Sequence, residues 1–192
     1  MLRQEKTDKM GTEQFIENNV VRNRAQLGYT DSVYIRRCRA GRGFGIVDVM
    51  LLPLRGPHRV VLIEAKRSSS VDAASKVIGQ MLLYYAGTLH FGLRGLGHLR
   101  QFATAKAASA RSTKPKLLKT LTGGITPPEA AWKEMRMGRK LMPKQIAMYI
   151  ALDAEPGPGL KSTLTVLKSE HELSIGVVSV LARDHIQVWR PA

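Results

Sequence analysis

Asp48, Glu64 and Lys66 are charged residues inside two otherwise apolar stretches, GIVDVMLLP at residues 45–53 and VVLIEAKRSS at residues 60–69. Burying an isolated carboxylate is costly, and two close together repel and raise a proton affinity. A hard divalent cation relieves both problems, because Mg²⁺ takes carboxylate and carbonyl oxygens and keeps positions for water and phosphate. Asp48, Glu64 and the carbonyl of Ala65 therefore read as a Mg²⁺ site, with Mn²⁺ as a substitute. In an extended strand Glu64 and Lys66 share one face, about 6.6 Å apart along the backbone, while Ala65 points the other way. A lysine there can position or help activate an attacking water and offset charge on a pentavalent phosphate.

Two helices must bring the remaining groups. In TEQFIENNVVRNRAQLG (residues 12–28) Thr12 is a cap, Glu13 and Glu17 lie near the positive end of the dipole, and Gly28 is a stop. Phe15, Ile16, Val20, Val21 and Leu27 form an apolar arc on the helical wheel, and Glu13 and Glu17 fall within it. Glu17 is the candidate to complete the metal shell, with Glu13, one turn earlier, as its competitor. After the strands, Asp72 is a cap for a helix through VIGQMLLYYAGTLHF (residues 77–91). Its core face holds Val71, Ala74, Val77, Ile78, Met81, Leu82 and Tyr85, while Lys76, Gln80 and Tyr84 form a second stripe at i, i+4, i+8. Gln80 can orient a water, the lysine or a phosphate oxygen, and Tyr84 can stack on or hydrogen-bond a nucleic acid.

Residues 32–36, 45–52 and 59–66 are the predicted strands, joined by the glycine-rich CRAGRGFG and by LRGPH. The second and third are apolar on both faces, as central covered strands are. A further strand is expected at residues 145–153, then a turn at EPGPG, a mixed segment around residues 164–173, and a closing hairpin from IGVVSVL and HIQVWR. The fold class is mixed α/β.

This arrangement resembles the PD-(D/E)XK nuclease superfamily, with its restriction-endonuclease-like fold. The resemblance rests on a helical acid (Glu17), an aspartate on a hairpin strand (Asp48, in V-D rather than P-D) and E-A-K on the next strand (Glu64, Ala65, Lys66). Gln80 to Tyr84 is similar to the Q-x-x-x-Y helix of the RecB-like branch, and the G-Y-T after the first helix is similar to archaeal Holliday junction resolvases. It covers residues 11–91 and implies a mixed central sheet flanked by helices, with Mg²⁺-dependent hydrolysis of phosphodiester bonds. Endonuclease action is the nearer of the two modes, and in a homodimer two sites would cut both strands. The regular expression alone is weak; its placement on consecutive apolar strands between two such helices gives it weight.

Residues 1–91 then form the first part of a nuclease core and residues 145–192 the second, with a basic, largely helical insertion at residues 92–144. The insertion holds 12 basic and 2 acidic residues, so it supplies +10 of the chain's net charge of +15. Arg94, Arg100, Lys106, Arg111, Lys114, Lys116, Lys119, Arg136, Arg139 and Lys140 are the expected contacts to a nucleic-acid backbone, DNA being the expected partner. Cys38 is the single cysteine, which excludes an intrachain disulfide and fits an intracellular, cytoplasmic setting. No run is long and apolar enough to span a membrane. GRGFG lacks a following G-K-[ST] and is a turn rather than a nucleotide loop, and the five histidines show no paired metal-ligand spacing. Two other readings stay open: a nucleic-acid-binding protein of the same fold without turnover, and an interaction module whose basic arm meets an acidic partner.

Overall fold

The computed structural model describes residues 12–30, 32–53, 56–69, 73–91 and 141–192. The first helix, α1 (Glu13–Arg22), starts where expected, with the Thr12 hydroxyl accepting the Phe15 N–H at 3.1 Å. It stops six residues before Gly28. Asn23 caps it, its side chain donating to the Asn19 carbonyl at 2.9 Å, and the chain continues through successive turns to Gly28. The predicted apolar arc is buried as read, Leu27 included.

Three strands follow as a meander: β1 (Ser32–Arg39), β2 (Ile46–Pro53) and β3 (Val60–Lys66), each antiparallel to the one before. Helix α2 (Ala73–Phe91) then leads towards β4 (Ile146–Leu152), which lies parallel to β3; α3 (Pro158–His171) crosses to β5 (Ile175–Ala182), parallel to β4. The hairpin expected at the end is present, with β6 (His185–Trp189) antiparallel to β5. One six-stranded mixed sheet results, in the order β1-β2-β3-β4-β5-β6.

The doubly apolar strands are central, as their sequences require, because both faces of the sheet are covered. Met50, Leu52, Val60, Leu62, Met148, Ile150 and Val177 pack with α2 and α3 on one face. Val49, Leu51, Val61, Ile63, Ala65, Tyr149 and Val178 pack with α1 on the other. At the sheet end away from Lys66, Tyr29 and His58 share a hydrogen bond at 3.0 Å, which accounts for that histidine as a packing residue. Cys38 is buried, and burial pushes its thiol up to about 12, so it is an inert core residue.

Several boundaries differ from the sequence reading. Strand β1 continues to Arg39, because Cys38 and Arg39 resume the pairing with β2 after Arg37, although the composition there looks like a solvated loop. The mixed segment near residue 164 is helix α3, which begins at Pro158, a residue suited to a first helical turn. Ahead of β4, Leu141 is buried and Pro143–Gln145 forms a 3₁₀ turn leading into the strand. Residues 92–140, with all ten basic residues expected to contact nucleic acid, lie outside the described residues, as do Val71 and the expected cap Asp72.

Candidate active site at the split between two strands

The pairing of β2 with β3 runs through Leu51↔Val61, Met50↔Leu62 and Val49↔Ile63, and goes no further towards Asp48 and Glu64. On the outer sides the ladders continue, to Arg39↔Ile46 between β1 and β2 and to Lys66↔Leu152 between β3 and β4. The seam between these two strands therefore opens at the position of their charges. Asp48 fills the opening: its Oδ2 accepts the Ala65 N–H at 3.0 Å, replacing a ladder bond with a side-chain one.

Glu64 stands on the α2 face by strand alternation, and its Oε1 lies 3.0 Å from Lys66 Nζ. Its second oxygen, Oε2, is buried and has no hydrogen-bond partner, although the residue is only 2% exposed. Lys66 also lies 3.5 Å from Glu13 at the start of α1, so it stands between two carboxylates from different elements. The turn after it is fixed by Asp153, whose Oδ1 accepts the Ser68 N–H at 2.7 Å. Glu17, the expected helical acid, is 1% exposed and reaches the same end of the sheet.

What meets Glu17 there was not legible in the sequence. Arg37, on β1, donates from one guanidinium nitrogen to Glu17 Oε1 and from another to Asp48 Oδ1, each at 2.6 Å. Arg36 adds a weaker contact to Glu17 Oε2 at 3.8 Å. Arg37 has φ +52°, in the left-handed region that a non-glycine residue seldom occupies. Its effect shows in the packing: Ile35 and Cys38, three residues apart, share one core cluster, where regular alternation would send them to opposite faces.

The electrostatics follow from this crowding. Burial raises the proton affinity of Glu64 and the Asp48 carboxylate raises it further, outweighing the lowering by Lys66, and places its pKa at about 7. Glu17 is also held above the ordinary carboxylate value, first by burial, with the arginines opposing and Asp48 and Glu13 adding to the rise. For Lys66 burial works against the charge, yet the hydrogen bond to Glu64 and the nearby carboxylates win, so its ammonium is stabilised. Lys66 is accordingly a fixed cation near neutral pH rather than a base.

Helix α2 contributes a pair whose roles differ from each other. Gln80 donates to the Tyr84 hydroxyl at 3.4 Å, while its own Oε1 is buried without a partner. Tyr84, expected to meet nucleic acid, is 3% exposed; its hydroxyl donates to the Ile46 carbonyl at 2.8 Å and its ring packs beneath Gly45. A ring so placed has no face to offer a base. It packs the β1–β2 hairpin onto α2, and burial together with the Glu64 charge keeps its phenol protonated.

Asp48 and Glu64 fit a hard cation in their chemistry, since one carboxylate oxygen is an orphan and the other oxygens belong to two neighbouring acids. The fit is not that of a finished cage. Among the described residues no three His, Cys, Asp or Glu side chains group tightly enough to hold an ion by themselves. Glu17 is engaged with Arg37 instead, and Ala65 meets Asp48 through its N–H. Any ion held at Asp48 and Glu64 would thus complete its shell with water or substrate oxygens. No family model, curated protein or solved structure matches the chain.

Proposed function

We propose that the protein is a metal-dependent nuclease of the restriction-endonuclease-like kind, hydrolysing DNA phosphodiester bonds at the open end of the β2–β3 seam. The observation that carries the reading is the buried, half-satisfied Glu64, beside Asp48 and paired with Lys66, where the sheet splits. An unpaired buried acceptor costs on the order of 1–3 kcal/mol, which favours a ligand for that oxygen. Retaining one is the pattern of a site that awaits a ligand.

Asp48 and Glu64 would hold the Mg²⁺, which when bound supplies Lewis-acid polarisation of a phosphoryl oxygen and a more acidic water. The chain's own residues do the rest. Lys66, kept protonated by Glu64 and Glu13, presents a cation to the phosphate where negative charge grows. Gln80, with an unpaired carbonyl oxygen, can accept a hydrogen bond from the attacking water and so orient it. The basic segment at residues 92–144 would hold the backbone of the nucleic acid.

Asp48→Asn, Glu64→Gln and Lys66→Met are each expected to lower Mg²⁺-dependent cleavage by about 100-fold or more while leaving DNA affinity within a few-fold of wild type. Cleavage of supercoiled, linear, branched and single-stranded DNA, with circular dichroism as the control for folding, makes the measurement. Undiminished turnover in all three variants would dispose of the assignment. One feature favours a second reading, binding without turnover: Arg37 already compensates Glu17 and Asp48. That reading forecasts tight DNA binding and no product on any of the four substrates, with Mg²⁺ or with Mn²⁺.

A further inference from the structure

We infer that Arg37 is an internal competitor of the metal: its guanidinium spans Glu17 and Asp48 in the ion-free protein and must leave Asp48 before a divalent cation is held there. The inference rests on the metal-site reading above and concerns a residue that the reading does not use. Three observations carry it.

The first is geometric. Both Arg37 contacts are short, at 2.6 Å, and both end on carboxylates that are almost fully buried. Of the Asp48 oxygens, Oδ1 takes the guanidinium and Oδ2 takes the Ala65 N–H. An ion at Oδ1 would therefore lie against a like charge, and in a poorly solvated site such repulsion is strong. The second is accessibility. The Arg37 side chain is 58% exposed although its partners are buried, so it closes the site from the solvent side and has open space to withdraw into. The third is the backbone. A left-handed residue inside a strand persists only where its surroundings hold it, and here the two carboxylates are the contacts that do so. Glu17 would not be stranded by the departure, because Arg36 stands 3.8 Å from its other oxygen.

The balance of charge gives the same answer. Glu13, Glu17, Asp48 and Glu64 face Arg36, Arg37 and Lys66, so the ionised set already carries only one net negative charge without a metal. A divalent ion added with Arg37 in place would leave the site with one net positive charge, whereas withdrawal of Arg37 would leave it neutral. Competition is then the expected behaviour, and its strength is measurable without reference to cleavage.

The test is Mn²⁺ binding, by electron paramagnetic resonance of free Mn²⁺, to wild type, Arg37→Met, Arg37→Lys and Asp48→Asn. The expected result is affinity about tenfold or more higher in Arg37→Met, a smaller gain in Arg37→Lys, whose single ammonium cannot span both carboxylates, and loss in Asp48→Asn. Thermal melting in chelator should place Arg37→Met below wild type, and Mn²⁺ should raise its melting temperature by more than it raises that of wild type. Should Arg37→Met fail to fold, the Arg37→Lys gain decides the question. Equal affinities in wild type and the Arg37 variants, with Asp48→Asn still defective, would overturn the competition and leave the metal site standing. Absence of Mn²⁺ binding in every protein would overturn both.

Discussion

At the scale of single residues, Glu64 makes a forecast that needs no substrate. Its pKa is raised from an ordinary 4.5 to about 7, chiefly by burial and then by Asp48, so folding favours its protonated form. Stability from this source is complete below about pH 4.5 and is lost as pH rises through about 7. The metal-free protein should therefore weaken between pH 5 and 8, by on the order of 2 kcal/mol from this group, and Glu64→Gln should flatten that part of the curve. Urea midpoints at several pH values measure it; an equally steep curve in the variant would locate the titration elsewhere, Glu17 being the other raised acid. Asp48, Glu64 and Lys66 were legible because charges inside apolar strands demand an explanation from composition alone. Arg37 was not, since it sits in a run with Arg36 and Arg39 that reads as a solvated edge, and only its backbone conformation turns it onto the acids. The choice between Glu13 and Glu17 resolves into two roles, Glu13 on Lys66 and Glu17 on Arg37.

At the scale of elements, the β1–β2 hairpin docks on α2 near the open end of the seam, and two glycines of that helix separate propensity from packing. A Cβ on Gly87 would come within 2.7 Å of the Ala40 carbonyl and of Phe44, whereas a Cβ on Gly79 meets nothing within 4 Å. Gly79→Ala should stabilise the protein by about 0.5–1 kcal/mol through helix propensity. Gly87→Ala should instead destabilise it by about 1–2 kcal/mol, because the overlap with backbone exceeds that gain. Thermal melts of the two variants give the comparison, and a stabilised Gly87→Ala would mean that the hairpin does not bear on the helix as described. Apolar runs and turn residues made β2, β3, β4 and the final hairpin readable. The polar character of Gln80 and Tyr84 points the second stripe of α2 towards water and nucleic acid, but the tyrosine ring is large enough to be core once its hydroxyl finds the Ile46 carbonyl. Helix α1 was read too long because wheel periodicity continues to Leu27 through turns that merely imitate it.

At the scale of the whole molecule, a net charge of +15 governs encounter with a polyanion more than it governs the fold. If the chain grips DNA through about 6–10 phosphates, its affinity should fall about 10³–10⁵-fold between 50 and 200 mM salt. Arg39 and Arg42, both exposed at the hairpin end of the sheet, should contribute to that dependence, so that replacing both by Gln lowers the salt slope by up to about 2. Filter binding at graded ionic strength tests it, and a slope near zero would favour a protein partner for the basic segment. Of the described residues on either side of residues 92–140, Phe91 packs its ring on Gly41 of the same hairpin and Leu141 is buried. The charge of the basic segment is legible from composition alone. The sheet also has two outer edges, β1 and β6. β6 is only five residues long, and β1 is interrupted at Arg37 by a left-handed step that breaks the even row of outward amide and carbonyl groups. Among the described residues an incoming strand from a neighbouring copy thus finds only short runs of template on either border, about five residues each, which weakens edge-to-edge pairing.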